Sequence, residues 1–337
     1  MKNAPLNAAA VAKNDEFYTR LADIEKELQH YKPHFEGKVV YCNCDDPRVS
    51  NFFHYFSHNF EHLGLKKLIT TCYKNQNPGL FSRHDAEQAI MLEYDGFRDG
   101  DRVPRCEDIG IRELAGDGDF RSRECIEILK QADIVVTNPP FSLFREYIAQ
   151  LMEHEKRFLV VGNQNAATYK DIFPLIRDNR LWLGITPKGQ DMLFDVTPDY
   201  ARELVANKKE GSAYRTVNGT VMGRLGNAAW FTNLDHKKRN EELLLYRTYS
   251  PEKYPTYDNY DAIEVGETKN IPMDWTEAMG VPITFLDKYN PDQFEIVGID
   301  NDVITGYSGG LSSRFYVNGQ RKFARVVIRL KRSGNGD

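Results

Sequence analysis

Apolar positions in the first half of the chain fall into short runs, separated by segments with helical spacing. Residues 21–31 (LADIEKELQHY) space their apolar side chains three and four apart, which predicts a helix, and Pro33 and Gly37 then break it. Residues 38–42 read as a buried strand, 52–63 as an aromatic-rich helix and 67–72 as a second strand. The alternation continues with a helix over 125–131, a strand over 134–137, a helix over 144–154 and a strand over 158–162. Short apolar strands alternating with helices predict an α/β fold. Its Rossmann-like core has a mostly parallel sheet with helices on both faces, and ligands meet the carboxyl ends of the strands.

After Asn179 the alternation is lost. Residues 228–234 and 243–246 still read as strands, whereas 249–274, rich in tyrosine and proline, resembles a long wrapping connection. Residues 322–332 (KFARVVIRLKR) alternate apolar and basic side chains, which predicts a strand with one face buried and the other free to meet phosphate. The division expected is a core over 1–235, with an insertion around 187–226, and a recognition region over 236–337.

Charge sharpens that division. The net charge is −5, yet Leu311 to Asp337 holds seven basic residues against one acidic, and Asn207 to Arg247 holds eight against four. Phosphate neutralisation needs local rather than global charge, so a nucleic-acid partner stays open beside the plainer reading of solvated basic faces. Lys237, Lys238 and Arg239 after the 228–234 strand, and Arg321, Lys322 and Arg325 in the basic end, are the candidates for DNA contact. The five cysteines (Cys42, Cys44, Cys72, Cys106, Cys125) are odd in number and form no C-x-x-C pair, which predicts reduced thiols and no structural metal. His54, His58 and His62 share a helix face, but their aromatic surroundings favour packing over ligation. The Gly306–Gly310 turn (GYSGG) lacks the Lys and Ser/Thr of a phosphate loop. No apolar run approaches bilayer length and no secretory leader is evident, so a cytoplasmic address is expected and no membrane partner.

Chemistry concentrates in Asn138-Pro139-Pro140-Phe141, directly after the apolar run 134–137. A conjugated exocyclic amine, such as that of adenine, is a poor nucleophile because its lone pair is delocalised into the ring. If the Asn138 side-chain oxygen and the Pro139 carbonyl each accept one N–H, the nitrogen moves toward tetrahedral geometry and its lone pair is freed. Two consecutive prolines fix φ and remove two donors, which holds such carbonyls still. Phe141 can stack on a base rotated out of a duplex. With proline near 5% of residues, a chance match to this tetrapeptide arises in roughly one chain of this length in fifty.

These residues, with KNDEFYT (13–19), VYCNCDDP (40–47), TNPPF (137–141) and PITFLDKYNPDQFEIVG (282–298), resemble the EcoRI-type family of adenine-N6 DNA methyltransferases over most of the chain. The resemblance implies S-adenosylmethionine as methyl donor without a metal, and adenine in double-stranded DNA as acceptor. It places the cofactor half before the catalytic motif and recognition elements after it, and it makes a restriction endonuclease for the same site a possible companion. Asn138, Pro139, Pro140 and Phe141 then take the target-adenine roles. The glycine-rich turn common after the first strand of such enzymes is replaced by Asn43-Cys44-Asp45-Asp46-Pro47, where Asp45 or Asp46 can accept from the donor's ammonium or ribose hydroxyls. A helix cap is the competing reading of those acids. Asp119 and Phe120 resemble the position that holds the donor's adenine, though a polar turn is the alternative, and Thr19 resembles the position that holds its carboxylate, with capping of the helix that follows as the competing reading. No residue is assigned to the ribose. Enzymes that methylate an RNA guanine amine or a protein glutamine amide share the tetrapeptide, and a DNA-binding protein that has lost the cofactor is the non-enzymatic alternative.

Overall fold

The computed structural model describes residues 19–74, 88–96, 106–186, 192–196, 198–208, 210–225, 227–305 and 314–331. Residues 13–18 of the leading motif, the Gly306–Gly310 turn and Arg332 lie outside them. The chain forms two compact units, one of residues 1–164 and 184–234, the other of residues 165–183 and 235–337.

In the first unit the expected alternation is realised. Helices α1 (Leu21–Leu28) and α2 (Lys32–Phe35) precede β1 (Val39–Cys42), then α3 (Asn51–His58), α4 (Phe60–Leu63) and β2 (Lys67–Thr71). Next come β3 (Ile90–Tyr94), α5 (Cys106–Ile109), β4 (Arg112–Glu113), α6 (Arg123–Gln131), β5 (Ile134–Thr137), α7 (Phe144–Glu153) and β6 (Arg157–Asn163). The aromatic helix expected over 52–63 is two helices that meet at Asn59, whose backbone leaves the helical region (φ −104°, ψ 14°) while its side chain joins its own amide on the Tyr55 carbonyl at 2.8 Å. Ser50 caps α3 by accepting from the Phe53 amide.

β1, β2, β5 and β6 run parallel in the order β2-β1-β5-β6, with Val40 opposite Ile134 and Tyr41 opposite Val135. β3 and β4 extend the β2 edge antiparallel. This is a Rossmann-like sheet, mostly parallel at its centre. The chain leaves β1 on one side to form β2 and returns on the other as β5. The topological switch point, where α/β sheets bind ligands, therefore falls at the carboxyl ends of β1 and β5. All four residues of β5 are buried.

Residues 192–225 form a separate three-stranded sheet of β7 (Met192–Asp195), β8 (Tyr214–Val217) and β9 (Thr220–Leu225), ordered β7-β9-β8, with α8 (Pro198–Ala206) between β7 and β8. β10 (Ala228–Thr232) then pairs antiparallel with β6. One buried carboxylate ties distant segments of this unit together. Glu27 on α1 accepts from the Tyr31 hydroxyl at 2.8 Å and from the Ile185 and Thr186 amides at 2.8 and 2.7 Å.

The second unit carries a five-stranded sheet. Its strands are β11 (Thr256–Tyr257), β12 (Tyr260–Glu264), β13 (Met279–Pro282), β14 (Phe294–Ile299) and, after the hairpin strands β15 (Tyr316–Val317) and β16 (Gln320–Arg321), β17 (Arg325–Leu330). Their order is β11-β12-β13-β17-β14, and α9 (Asp300–Thr305) follows β14. Three sequence expectations change here. Residues 249–274 contain β11 and β12 rather than an unstructured connection. Residues 243–246 form no strand: Leu244 is 83% exposed, and the Leu243 backbone is held by the Gln293 side chain through two 2.8 Å bonds. The basic end is an inner strand of this sheet in which Arg325 to Ile328 are buried without alternation, and only Arg329 and Lys331 at its far end are exposed.

Arg325 is buried with it. Its guanidinium meets Glu264 Oε1 at 2.6 Å and Oε2 at 3.0 Å, while Tyr257 also donates to that carboxylate. Removing one partner strands a buried charge, whereas removing both need not. Arg325→Met should therefore lower unfolding free energy in urea by about 3–5 kcal/mol. The Arg325→Met/Glu264→Leu double variant should recover most of that loss, and an equal loss in both would refute the pairing argument.

Candidate active site

The carboxyl ends of β1 and β5 are joined side by side. Thr137, the last residue of β5, is fully buried and donates its hydroxyl to the Asn43 carbonyl just beyond β1. The Asn43 side-chain oxygen in turn accepts from the Tyr147 hydroxyl of α7 at 2.5 Å. Tyr147 packs its ring edge-on against Phe120, with centroids 5.0 Å apart. Three sequence candidates, Asn43, Phe120 and Asn138, thus stand around one buried tyrosine and one strand exit. Sequence reasoning missed Tyr147, which lies 104 residues from Asn43 and reads in the sequence as an ordinary apolar position of a helix.

Asn138 follows Thr137 directly and is 6% exposed. Pro139 is buried, Pro140 half-buried, and Phe141 opens a 3-10 turn over Phe141–Leu143. The Phe141 ring is 9% exposed and packs with the core of the unit. A base stacking on it would have to displace part of its cover.

The loop after β1 shows how a glycine-free sequence turns there. Cys44 adopts φ +81°, the left-handed conformation that glycine ordinarily supplies. Asp45 beyond it is half-buried and accepts from the Ser50 hydroxyl at 3.4 Å. Asp46 is buried and committed: it accepts from the Arg48 amide at 2.9 Å and pairs with the Arg48 guanidinium at 2.6 Å. Its place is an Asx turn ahead of the α3 cap rather than the cap itself. Of the two acids, Asp45 is the less buried.

Thr19 joins this end of the sheet through Asn51, whose side chain donates to the Thr19 carbonyl at 2.9 Å from the first turn of α3. Thr19 is buried and pairs as a β-bridge with Phe194. Its hydroxyl has no hydrogen-bond partner among the described residues. A buried hydroxyl without a partner is costly, and a ligand carboxylate is one group that would satisfy it.

The 116–119 turn reaches the same region. Gly118 has φ +78°, and a Cβ there would overlap the Cys72 carbonyl at the end of β2, so only glycine allows the approach. Lys74 donates its amide to the Asp117 carbonyl at 2.6 Å. Asp119 is paired with Arg121 at 2.7 Å, and that hydrogen-bonded ion pair holds its carboxyl below the usual range. Arg121 also reaches Glu146 at 3.1 Å and lies 5.3 Å over the Phe120 ring. Thr71 and Cys72, at the carboxyl end of β2, are both buried. The Thr71 hydroxyl meets Tyr41 at 2.7 Å, and burial pushes the Cys72 thiol up to about 12.

The basic candidates lie in the second unit, and the structure separates them. Lys237 is exposed and Lys238 half-buried on the 3-10 turn Lys237–Asn240. Arg239 is occupied, stacking 3.8 Å from the Trp182 ring and donating to Asn179 at 2.9 Å. Arg321 is exposed, Lys322 half-buried, and Arg325 is sealed against Glu264.

A family model described as the adenine-specific methyltransferase EcoRI matches residues 5–331. The chain is 45% identical over 336 residues to the type II methyltransferase M.EcoRI of Escherichia coli, covering 98% of this chain and 97% of that protein. It is 40% identical to M.MgeORF184P of Mycoplasma genitalium, over 96% and 98% of the two chains. It is 38% identical to M.MpnI of Mycoplasma pneumoniae, over 97% and 98%. No solved structure matches the chain.

Strain at Cys44 can be measured directly. Cys44→Gly should leave urea stability within about 0.5 kcal/mol, because relief of the left-handed conformation offsets the added chain entropy. Cys44→Val should cost on the order of 1–3 kcal/mol. Equal effects of the two would show that the turn does not depend on that conformation.

Proposed function

The chain belongs to the family of the adenine-specific methyltransferase EcoRI, and from that premise we propose that it methylates the exocyclic N6 amine of adenine at a specific site in double-stranded DNA. S-adenosylmethionine is the donor in this reading, and the reaction protects host DNA in restriction-modification, with a cognate endonuclease as a companion. Among the described residues no helix is long and apolar enough to cross a membrane. A cytoplasmic site of action is part of the proposal.

The observation that carries it is the Asn138-Pro139-Pro140-Phe141 corner at the switch point, bonded to the β1 exit through Thr137 and Asn43. When bound, S-adenosylmethionine supplies an electrophilic methyl carbon. The residues fit such a ligand. Thr19 offers a buried, unsatisfied hydroxyl for its carboxylate, Asp45 a half-buried carboxylate for its ammonium, and Phe120 a ring beside its adenine. Asp119 can add an acceptor only from oxygens already shared with Arg121.

Asn138 and the Pro139 carbonyl accept the two N–H groups of the target adenine and hold its nitrogen with the lone pair directed outward. The corner is buried, so these dipoles act at low dielectric and need little reorganisation. A neutral amide suits this work, because the step calls for acceptors and positioning rather than a strong base. Phe141 stacks on the extrahelical base once its cover opens. Lys237, Lys238, Arg321 and Lys322 are the cations proposed to meet DNA phosphates, and Arg239 and Arg325 are held in structural contacts instead.

DNA from a host expressing the protein should carry N6-methyladenine at one recurrent sequence when read by direct sequencing; unmodified DNA despite folded protein would sink the reading. With purified protein, Asn138→Ala should lower turnover by on the order of a hundred- to a thousandfold. Donor binding by calorimetry should be nearly unchanged, and lost donor binding would contradict the role given to Asn138.

A further inference from the structure

Most of the basic end is committed to the sheet of the second unit, yet Phe323, two residues ahead of β17, is left uncovered. Phe323 is 89% exposed, the most exposed large apolar side chain among the described residues. Its backbone is fixed from both sides. Arg325, locked onto Glu264, reaches the Phe323 carbonyl at 3.4 Å. The Lys322 amide donates at 2.8 Å to the carbonyl of Phe315, a fully buried residue whose ring stacks on Tyr257 at 4.2 Å and Tyr260 at 5.2 Å. The hairpin leading there is equally firm. Asn318 and Gly319 take φ +50° and +74°, and their amides are held by the Asp258 carboxylate at 3.1 and 2.7 Å. A bare aromatic ring on a rigid mount is costly in water and well prepared for a partner.

We propose that Phe323 is an intercalating wedge, a positioning residue that enters the base stack of duplex DNA and supports the helix from which the target adenine is rotated. The inference rests on the reading of the chain as a DNA adenine methyltransferase. Charge identifies the partner: Arg321 and Lys322 immediately precede the ring, Arg329 is exposed further along, and no acidic residue stands between Arg314 and Lys331, although Arg314 and Arg325 are themselves paired with Asp300 and Glu264. Duplex DNA presents an apolar stack beneath a shell of phosphates, which matches an apolar tip flanked by cations. Extruding a base costs a few kcal/mol of stacking and pairing, and an inserted aromatic offsets part of that cost. Phenylalanine, with two side-chain torsions, loses little freedom on insertion.

The test uses the full chain, S-adenosylmethionine and duplex oligonucleotides carrying the site found in host DNA. Phe323→Ala should keep the wild-type melting temperature, since the ring makes little protein contact, and keep its salt dependence of DNA binding. It should lower kcat/KM by roughly tenfold or more. It should also lose the fluorescence rise of a 2-aminopurine placed at the target position. Phe323→Trp and Phe323→Leu should stay within about threefold of wild type. A mismatch opposite the target adenine, which removes the pairing to be broken, should restore most of the Phe323→Ala activity. An alanine variant that flips and methylates as wild type does, or one that the mismatch fails to rescue, would overturn the wedge. Wild-type protein that neither binds nor methylates duplex DNA would instead defeat the functional reading and the wedge with it.

Discussion

The first unit depends on the seam between the ends of β1 and β5. Thr137 bonds to the Asn43 carbonyl, and the Asn43 side chain receives the Tyr147 hydroxyl. These are buried bonds between segments about a hundred residues apart, and their surroundings exclude the water that would otherwise compete. The seam fixes where Asn138 emerges and where the loop bearing Cys44 and Asp45 turns. Proline rigidity alone would hold the Pro139 carbonyl relative to its neighbours. The seam, with the β1–β5 pairing that leads into it, relates that carbonyl to the loop after β1.

That dependence explains which parts could be read from the sequence. The strands 38–42, 67–72, 134–137 and 158–162 were legible because each is a short run buried on both faces, and local apolarity reports that directly. Asn138 to Phe141 was legible because its chemistry is contiguous. The Cys44 turn was not, since a left-handed residue other than glycine leaves no compositional mark. Tyr147 was not, because a helix position that faces a site looks the same as one that faces the core. Residues 322–332 misled for a related reason: alternation of apolar and basic side chains assumes one solvated face. Glu264, 61 residues away, supplies a buried partner for Arg325, and Val326, Val327 and Ile328 are buried in succession. Leu243 to Tyr246 misled in the opposite sense, since apolarity there serves exposed chain rather than a strand.

Charge has to be sorted by engagement before it informs function. Asp46 and Asp119 were candidates by position, yet each is bonded to an arginine two residues further on. Arg239 and Arg325, candidates by their basic surroundings, stack on Trp182 and pair with Glu264. An acid held in so close an ion pair has little charge left for a ligand. Lys237, Lys238, Arg321 and Lys322 are what remains among the candidate bases. The electrostatic case for DNA thus rests on fewer cations than the sequence count implied, all of them on a 3-10 turn or at the end of a two-residue hairpin strand.

Both units solve a similar problem with a buried carboxylate. Glu27 gathers Tyr31 and the amides of Ile185 and Thr186, and Glu264 gathers Tyr257 and Arg325. Neither arrangement is an efficient source of stability, because apolar side chains of equal volume could stabilise as well without the desolvation cost. What a satisfied polar cluster adds is a single permitted register, since any other alignment strands a charge. Register is the quantity both units need. A shift of one residue in β17 would turn Phe323 and the cations beside it onto the other face, and a shift at 184–186 would displace the segment that leads toward β7 and its bridge with Thr19. The buried acids therefore matter to function through geometry, by holding surface and ligand-facing residues in the one alignment in which they can act.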